Sequence, residues 1–371
     1  MRIFVINPGS TSTKFALYID EQLVWKHTVC HNFHQLKGYE HVNSQLDKRM
    51  ERMYDVMREF DIEPRFDAVI ARGGLLKPTP GGVYIVDDRL KHDLVNAEQE
   101  HACNLGGLMA DRLAAECGCP AFIADPEVVD ELMPEARMTG IAGLNRISIF
   151  HALNSKAVSR RYAESIGKRY EDLNLIVAHL GGGISVGAHR KGLVVDVNNA
   201  LNGDGPFSPE RAGTIPADSL VDLCLSGKFT RMELKRMLNG AGGLASHLHK
   251  NNVKEIEEQI EAGNEEYRRV LDAMLYTVAK EIGARHVALR CKTDAIILTG
   301  GIAHSKYCID KICEWIDGLA PIVVRAGEDE MEALAYNAAR ALDGTFEVKH
   351  YSPEVPEKTA TELVLESINF A

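Results

Sequence analysis

The chain states one phrase twice, and that repetition limits its fold more than any other feature. Residues 2–6 (RIFVI), the turn NPGSTSTK at 7–14, 15–19 (FALYI) and 22–29 (QLVWKHTV), the last two joined at Asp20-Glu21, read as an antiparallel meander. The same order returns as NLIVAHL at 174–180, Gly181-Gly182-Gly183, ISVGAH at 184–189, Arg190-Lys191-Gly192 and LVVDV at 193–197. DAVIARGG at 67–74 then answers DAIILTGG at 294–301. PAFIAD at 120–125 answers PIVVRAG at 321–327, each leading into a helix-like segment. Elements recurring in one order mark a duplicated α/β domain, because solenoid repeats have periods of only about 20 to 50 residues. Coincidence between two unrelated α/β domains is the alternative.

Two such copies are expected to face each other across a cleft, with each first hairpin turn directed into it. A turn of small residues between strands exposes backbone N–H groups and hydroxyls around a concavity that suits anionic oxygens. Asn7, Ser10, Ser12 and Lys14 supply donors and one cation in the first copy; Gly181, Gly182, Gly183 and then Ser185 do so in the second. One phosphate loop per half suggests a nucleoside triphosphate gripped from both sides. A polar turn in an ordinary meander is the plainer reading of NPGSTSTK alone. Neither turn has the G-x-x-x-x-G-K-[ST] spacing, and the glycine pairs near 73 and 300 do not make G-x-G-x-x-G.

At 371 residues the chain is expected to hold two domains, since single cores seldom exceed roughly 250–300 residues. A net charge of -11 argues against nucleic acid or an anionic membrane as partner. No apolar run reaches the length of a membrane span and Ile3–Ile6 is too short for a signal-peptide core, so a cytoplasmic location is expected. Eight cysteines with no Cys-x-x-Cys pair read as reduced thiols. His27, Cys30, His31 and His34 have a metal-like spacing, which a histidine-rich strand end explains equally well.

INPGSTSTK, AHLGGGISVGAHRKG, FHALNSKAVSRRYA at 150–163, DVNNALNGDGPFSPERAGTIP at 196–216 and LTGGIAHS at 298–305 carry a resemblance over residues 2 to about 340. The chain resembles the acetate and butyrate kinases, the butyrate branch above all, within the actin, hexokinase and heat-shock ATPase superfamily. The resemblance implies an α/β protein of two duplicated ribonuclease H-like domains around a central nucleotide cleft. It places the first at 1–150, with 340–371 packing back on it, and the second at 151–339. It further implies a kinase using ATP/ADP and Mg2+ on a short-chain carboxylic acid, and a homodimer or higher homo-oligomer.

By the same resemblance Arg211 stabilises the transferring phosphoryl group or holds the substrate carboxylate, and His151 hydrogen-bonds that group. His179 supports the phosphate loop, and Asn7 stands beside the γ-phosphate or the metal's water shell. Asp125 and Glu330 are the carboxylates for Mg2+, although Glu330 lies in an acidic helix start, where capping alone favours acids. Gly300 and Gly301 lie under adenosine, and GAGGLASHL at 240–248 forms another wall. Where acetate kinases carry a strand arginine this chain has Val69, leaving Arg72 as the nearest basic substitute. Ala71, in place of the valine that acetate kinases tend to have, and a shorter segment before Arg211 remove bulk near the acyl chain, with Phe150 lining the remainder. Each further buried methylene then favours a longer acid by about 0.8 kcal/mol. Acids of other lengths or branching are rival substrates, and a nucleotide-driven switch or filament protein of the same fold is the rival of another class.

Overall fold

The computed structural model describes residues 1–31, 41–97 and 99–353. The chain divides into two compact units, Met1–Asp130 with the segment that begins at Asp329, and Glu131–Glu328. In the first, β1 (Arg2–Pro8), β2 (Ser12–Ile19) and β3 (Gln22–Cys30) form the antiparallel meander. Beside it β4 (Ala68–Arg72) runs parallel to β1, and β6 (Ala121–Ala124) parallel to β4. Two strands absent from the sequence reading, β5 (Val83–Ile85) and β12 (Val348–Lys349), complete a seven-stranded sheet ordered β12-β5-β6-β4-β1-β2-β3. The second unit holds β7 (Asn174–Leu180), β8 (Ile184–Arg190), β9 (Leu193–Val197), β10 (Ala295–Gly300) and β11 (Ile322–Ala326), ordered β11-β10-β7-β8-β9. The meander and its two parallel neighbours therefore occur in the same order in both sheets.

The copies agree in detail. A bulge interrupts β2 against β3 between Leu17 and Tyr18, and β8 against β9 between Ala188 and His189. Leu17 faces Phe4 on β1, and Ala188 faces Ile176 on β7, so the bulges fall at matching rungs. At the start of each sheet one aspartate accepts a backbone N–H from the first strand: Arg2 N to Asp67 Oδ2 at 2.6 Å, and Asn174 N to Asp294 Oδ2 at 2.7 Å. The hairpin turns at Asp20-Glu21 and Lys191-Gly192 all have positive φ, the twist that tight antiparallel hairpins favour.

Burial follows topology. Parallel strands covered on both faces read as unbroken apolar runs, and β6 and β10 are buried at every residue. Phe4, Phe15, Met53, Leu90, Leu105 and Met109 anchor the first core; Ile176, Val186, Leu271, Met274, Ile296 and Leu298 the second.

The unit boundaries precede the sequence-read 150 and 339. Glu131 accepts from Lys156 Nζ at 3.0 Å and from Val194 N at 2.7 Å, tying it to the second unit, whereas Asp130 N donates to Thr79 O in the first. The helix Glu330–Leu342 packs on β1 and β4 through Ala333, Leu334 and Ala338, so it belongs wholly to the first unit. The helix expected after PAFIAD is a single turn at Pro134–Arg137, because Pro126 and Pro134 break the segment. The end of the chain expected to return as a short helix, and His34 of the histidine cluster, lie outside the described residues. Of that cluster, His27 stacks on Trp25 and His31 Nε2 lies 2.8 Å from Thr13 Oγ1. No group of three metal-binding side chains occurs among the described residues.

His189 has a measurable consequence. Its buried ring is held by Tyr170, whose hydroxyl lies 2.6 Å from Nδ1, and burial, then Lys156 and Arg160, lower its pKa to about 3. The fold therefore carries the neutral imidazole. Its contribution is fully present above pH 6.5 and is lost as pH falls from there towards 3, amounting to about 2 kcal/mol at pH 5. Chemical denaturation of the wild type and His189→Asn at pH 7 and pH 5 tests this: the variant loses that part of the pH slope. An unchanged slope refutes it.

Candidate active site

In the second unit the β7–β8 turn and the segment 208–211 meet. Arg211 lies across Gly183 so closely that a Cβ there would overlap the guanidinium and displace it. Arg211 Nη1 donates to Ala200 O, and among the described residues no carboxylate pairs with the guanidinium. Burial lowers the Arg211 pKa, while neighbouring Glu210 opposes the shift. Ser208 Oγ donates to Gly182 O at 2.6 Å and fixes the turn from below.

His179, at the end of β7, is buried, with Nδ1 2.9 Å from Asn154 Oδ1 and Nε2 3.0 Å from Glu328 Oε1. His151 stacks on it with ring centroids 3.8 Å apart and lies 3.0 Å from Ser185 Oγ. Gly181 sits over this pair: a Cβ there would come 3.3 Å from His179 Nε2. Gly181, Gly182, Glu210, Gly301 and Glu328 line a cavity of about 620 Å³, with Asn251, Lys254 and His304 further round its wall. Gly300 does not line it. At φ +89 it packs on the Leu180 backbone and pins the loop after β10 to the end of β7.

The first unit gathers a separate cluster. Asn7 Nδ2 donates to Glu330 Oε2 at 2.7 Å, and Arg72 Nη1 lies 3.4 Å from the same oxygen. Arg72 Nε donates to Glu127, whose other oxygen is buried without a hydrogen-bond partner. Burial disfavours the Arg72 cation, but the Glu127 and Glu330 carboxylates outweigh it and raise its pKa. Asp125 is turned away: at φ +38, its Oδ1 accepts from Gly82 N at 2.8 Å. Lys14 faces Asn7 across the hairpin and is exposed, Ser12 is half-buried at the strand start, and Ser10 Oγ lies 3.5 Å from His101 Nε2. Ala71 is fully buried against Gly106, where a Cβ would come 3.2 Å from it, and Phe150 is 2% exposed; neither lines the cavity.

Three positioning groups escaped sequence reading. Glu127 follows the expected Asp125 by two residues, but its role depends on β4 and β6 lying side by side, with Arg72 opposite Ala124. Glu328 stood among acids that read as helix capping. Arg49 is buried beneath the first loop, donating to Gly9 O at 3.0 Å and Thr13 Oγ1 at 2.8 Å, and burial lowers its pKa to about 10. Its only sequence signal was a basic residue on an otherwise apolar helix face.

The duplicated fold, a glycine turn lined by arginine and histidine, and the adjoining cavity define a phosphate-handling kinase architecture. The chain belongs to the acetokinase family, whose pattern matches residues 141–321. It is 64% identical over 354 residues to a probable butyrate kinase of Phocaeicola vulgatus, covering 95% of this chain and all of that one. A probable butyrate kinase of Bacteroides thetaiotaomicron is 51% identical over 352 residues, with the same coverage. The crystal structure of Porphyromonas gingivalis acetate kinase matches at a TM-score of 0.74 and 18% identity, over 92% of this chain and 99% of that one, which establishes the shared fold.

Proposed function

We propose that this chain transfers a phosphoryl group between ATP and the carboxylate of a short-chain fatty acid, butyrate in preference, giving the acyl phosphate and ADP. The observation that carries the reading is one glycine turn with Arg211 lying on Gly183 and His179, stacked on His151, against Gly181, and with no carboxylate among the described residues hydrogen-bonded to that guanidinium. A short fatty acid has a pKa of about 5, like a protein carboxyl group, so its oxygen attacks without a general base. The reaction then needs two anions held in line and charge stabilised on the equatorial oxygens of the transferring group. Arg211 supplies that stabilisation through its remaining N–H donors, and His151 through a ring nitrogen. His179 holds His151 by stacking and is itself held by Asn154 and Glu328. Gly181 and Gly182 present bare backbone to the phosphates, and Gly301 leaves room for the nucleoside.

Mg2+ prefers oxygen ligands and retains several waters, so a sparse donor set suits it. The Glu330 carboxylate with the Asn7 amide fits such a role, while Asp125 reaches it only by leaving Gly82. When bound, the ion neutralises phosphate charge. Arg72, held by Glu127, orients the acid's carboxylate. No helix among the described residues is long and apolar enough to cross a membrane.

Trapping with hydroxylamine tests the activity. ATP, Mg2+ and acids of two to six carbons are expected to yield acyl hydroxamate with a maximum in kcat/KM at four carbons, each methylene up to that length contributing up to about fourfold. A maximum at acetate overturns the butyrate preference, and no hydroxamate with any acid overturns the kinase reading.

A further inference from the structure

Lys156, Arg285 and Arg72 are buried or largely buried cations, and carboxylates meet each of them: Glu131 for the first, Asp196 at 2.9 Å and Glu281 for the second, Glu127 and Glu330 for the third. Arg49 has no such partner. It stands on the buried face of the helix Leu46–Glu59 at 1% exposure, and among the described residues no carboxylate pairs with it. Its Nε and Nη2 donate to the uncharged amide oxygen of Gln45 at 3.2 and 3.0 Å, and its Nη1 donates to Gly9 O and Thr13 Oγ1. His31, beside Thr13 Oγ1, brings no compensating charge: burial, then Arg49 and Arg52, lower its pKa to about 4, so it is neutral at pH 7.

A buried charge is costly until something of opposite sign approaches it. The turn between β1 and β2 is where an anion can do so. Arg49 holds both ends of that turn, at Gly9 and Thr13, and between them Ser10 and Thr11 are exposed and their N–H groups donate to no backbone carbonyl among the described residues. Successive free N–H groups form a concavity for anionic oxygens, and a cation behind them deepens it. We propose that Arg49 is the buried counter-charge for a phosphate-class oxyanion held by the Gly9–Thr13 turn, and that Gln45, an amide where a carboxylate would neutralise Arg49, keeps that charge available. Arg49 is a positioning residue, acting on the anion through the turn without touching it. That the anion is a phosphoryl group of the nucleotide rests on the proposed function; free inorganic phosphate offers the same chemistry.

Gln45→Glu tests this on the full-length chain, because it supplies the missing carboxylate within reach of the guanidinium at almost unchanged shape. Without ligand the variant is expected to melt no lower than the wild type, since the buried cation gains a partner. Calorimetry at matched ionic strength is expected to show ATP with Mg2+, or inorganic phosphate, bound about tenfold more weakly, while adenosine binds as before. Weakening of ATP alone assigns the site to the nucleotide's phosphoryl group, and weakening of inorganic phosphate alone assigns it to the free ion; either supports the proposal. A second pair separates charge from packing. Arg49→Gln, which removes the cation, weakens the same ligand about as much, and Arg49→Lys, which keeps the cation but loses the planar fork, recovers most of the affinity. The proposal is overturned by a wild type that binds neither anion, by Gln45→Glu with unaltered affinity for both, by adenosine weakened equally, or by Arg49→Lys as weak as Arg49→Gln. No carboxylic acid is present and nothing turns over, so these outcomes stand apart from the hydroxamate result that decides the kinase reading.

Discussion

Arg211→Ala is expected to lower kcat by about 10²–10³-fold while KM for ATP moves less than about threefold. The guanidinium uses one N–H on Ala200 O and among the described residues is hydrogen-bonded to no carboxylate, so its remaining donors are available to a group that becomes more anionic in the transition state. Gly183→Ala gives the same phenotype by a different route. The added methyl overlaps the guanidinium and displaces it, with Arg211 itself intact. Arg211→Lys restores the charge without the planar fork and recovers only a fraction of the rate. If Arg211→Ala instead raises KM for ATP and leaves kcat intact, the residue binds nucleotide and the assignment to the transferring group is wrong.

Glu127→Gln is expected to raise the Mg2+ concentration for half-maximal activity about tenfold, with a smaller stability loss than truncation gives. Arg72 is shared between Glu127 and Glu330, so removing one negative charge drives the cation onto the other. Glu330 then carries Arg72 as well as the Asn7 amide and is a poorer partner for a metal. Glu127→Ala adds a stability loss of roughly 3 kcal/mol, because truncation leaves a largely buried arginine short of a partner. Titrating Mg2+ against acyl hydroxamate formation, with melting curves taken without nucleotide, separates the two effects. An unaltered Mg2+ requirement in Glu127→Gln would falsify the sharing of Arg72.

Much of this was legible in the sequence because turn chemistry is local. Glycines and hydroxyls in NPGSTSTK and in the turn after His179 announce their turns without reference to the rest of the chain, and Asp67 and Asp294 open two strands that begin alike. What could not be read depends on neighbours far along the chain. Whether Asp125 or Glu127 meets Arg72 is decided by a left-handed backbone at Asp125 that turns its carboxylate onto Gly82. Gly300 and Gly301 look equivalent on paper, but the first is consumed by the crossing over Leu180 and only the second borders the cavity. The boundary expected at 150 falls at Asp130/Glu131 because a buried lysine, Lys156, recruits Glu131.

Among the described residues the second unit is one continuous stretch, Glu131–Glu328, whereas the first is assembled from two stretches, with the helix Glu330–Leu342 and β12 following the whole of that stretch. During synthesis the ribosome therefore delivers every residue of the Glu131–Glu328 unit before the first unit can close its sheet or cover β1 and β4. The usual order, in which the amino-terminal domain matures first, is therefore expected to be inverted for this chain. The sheet that carries Asn7 and Arg72 gains its cover over β1 and β4 only once the helix Glu330–Leu342 has emerged.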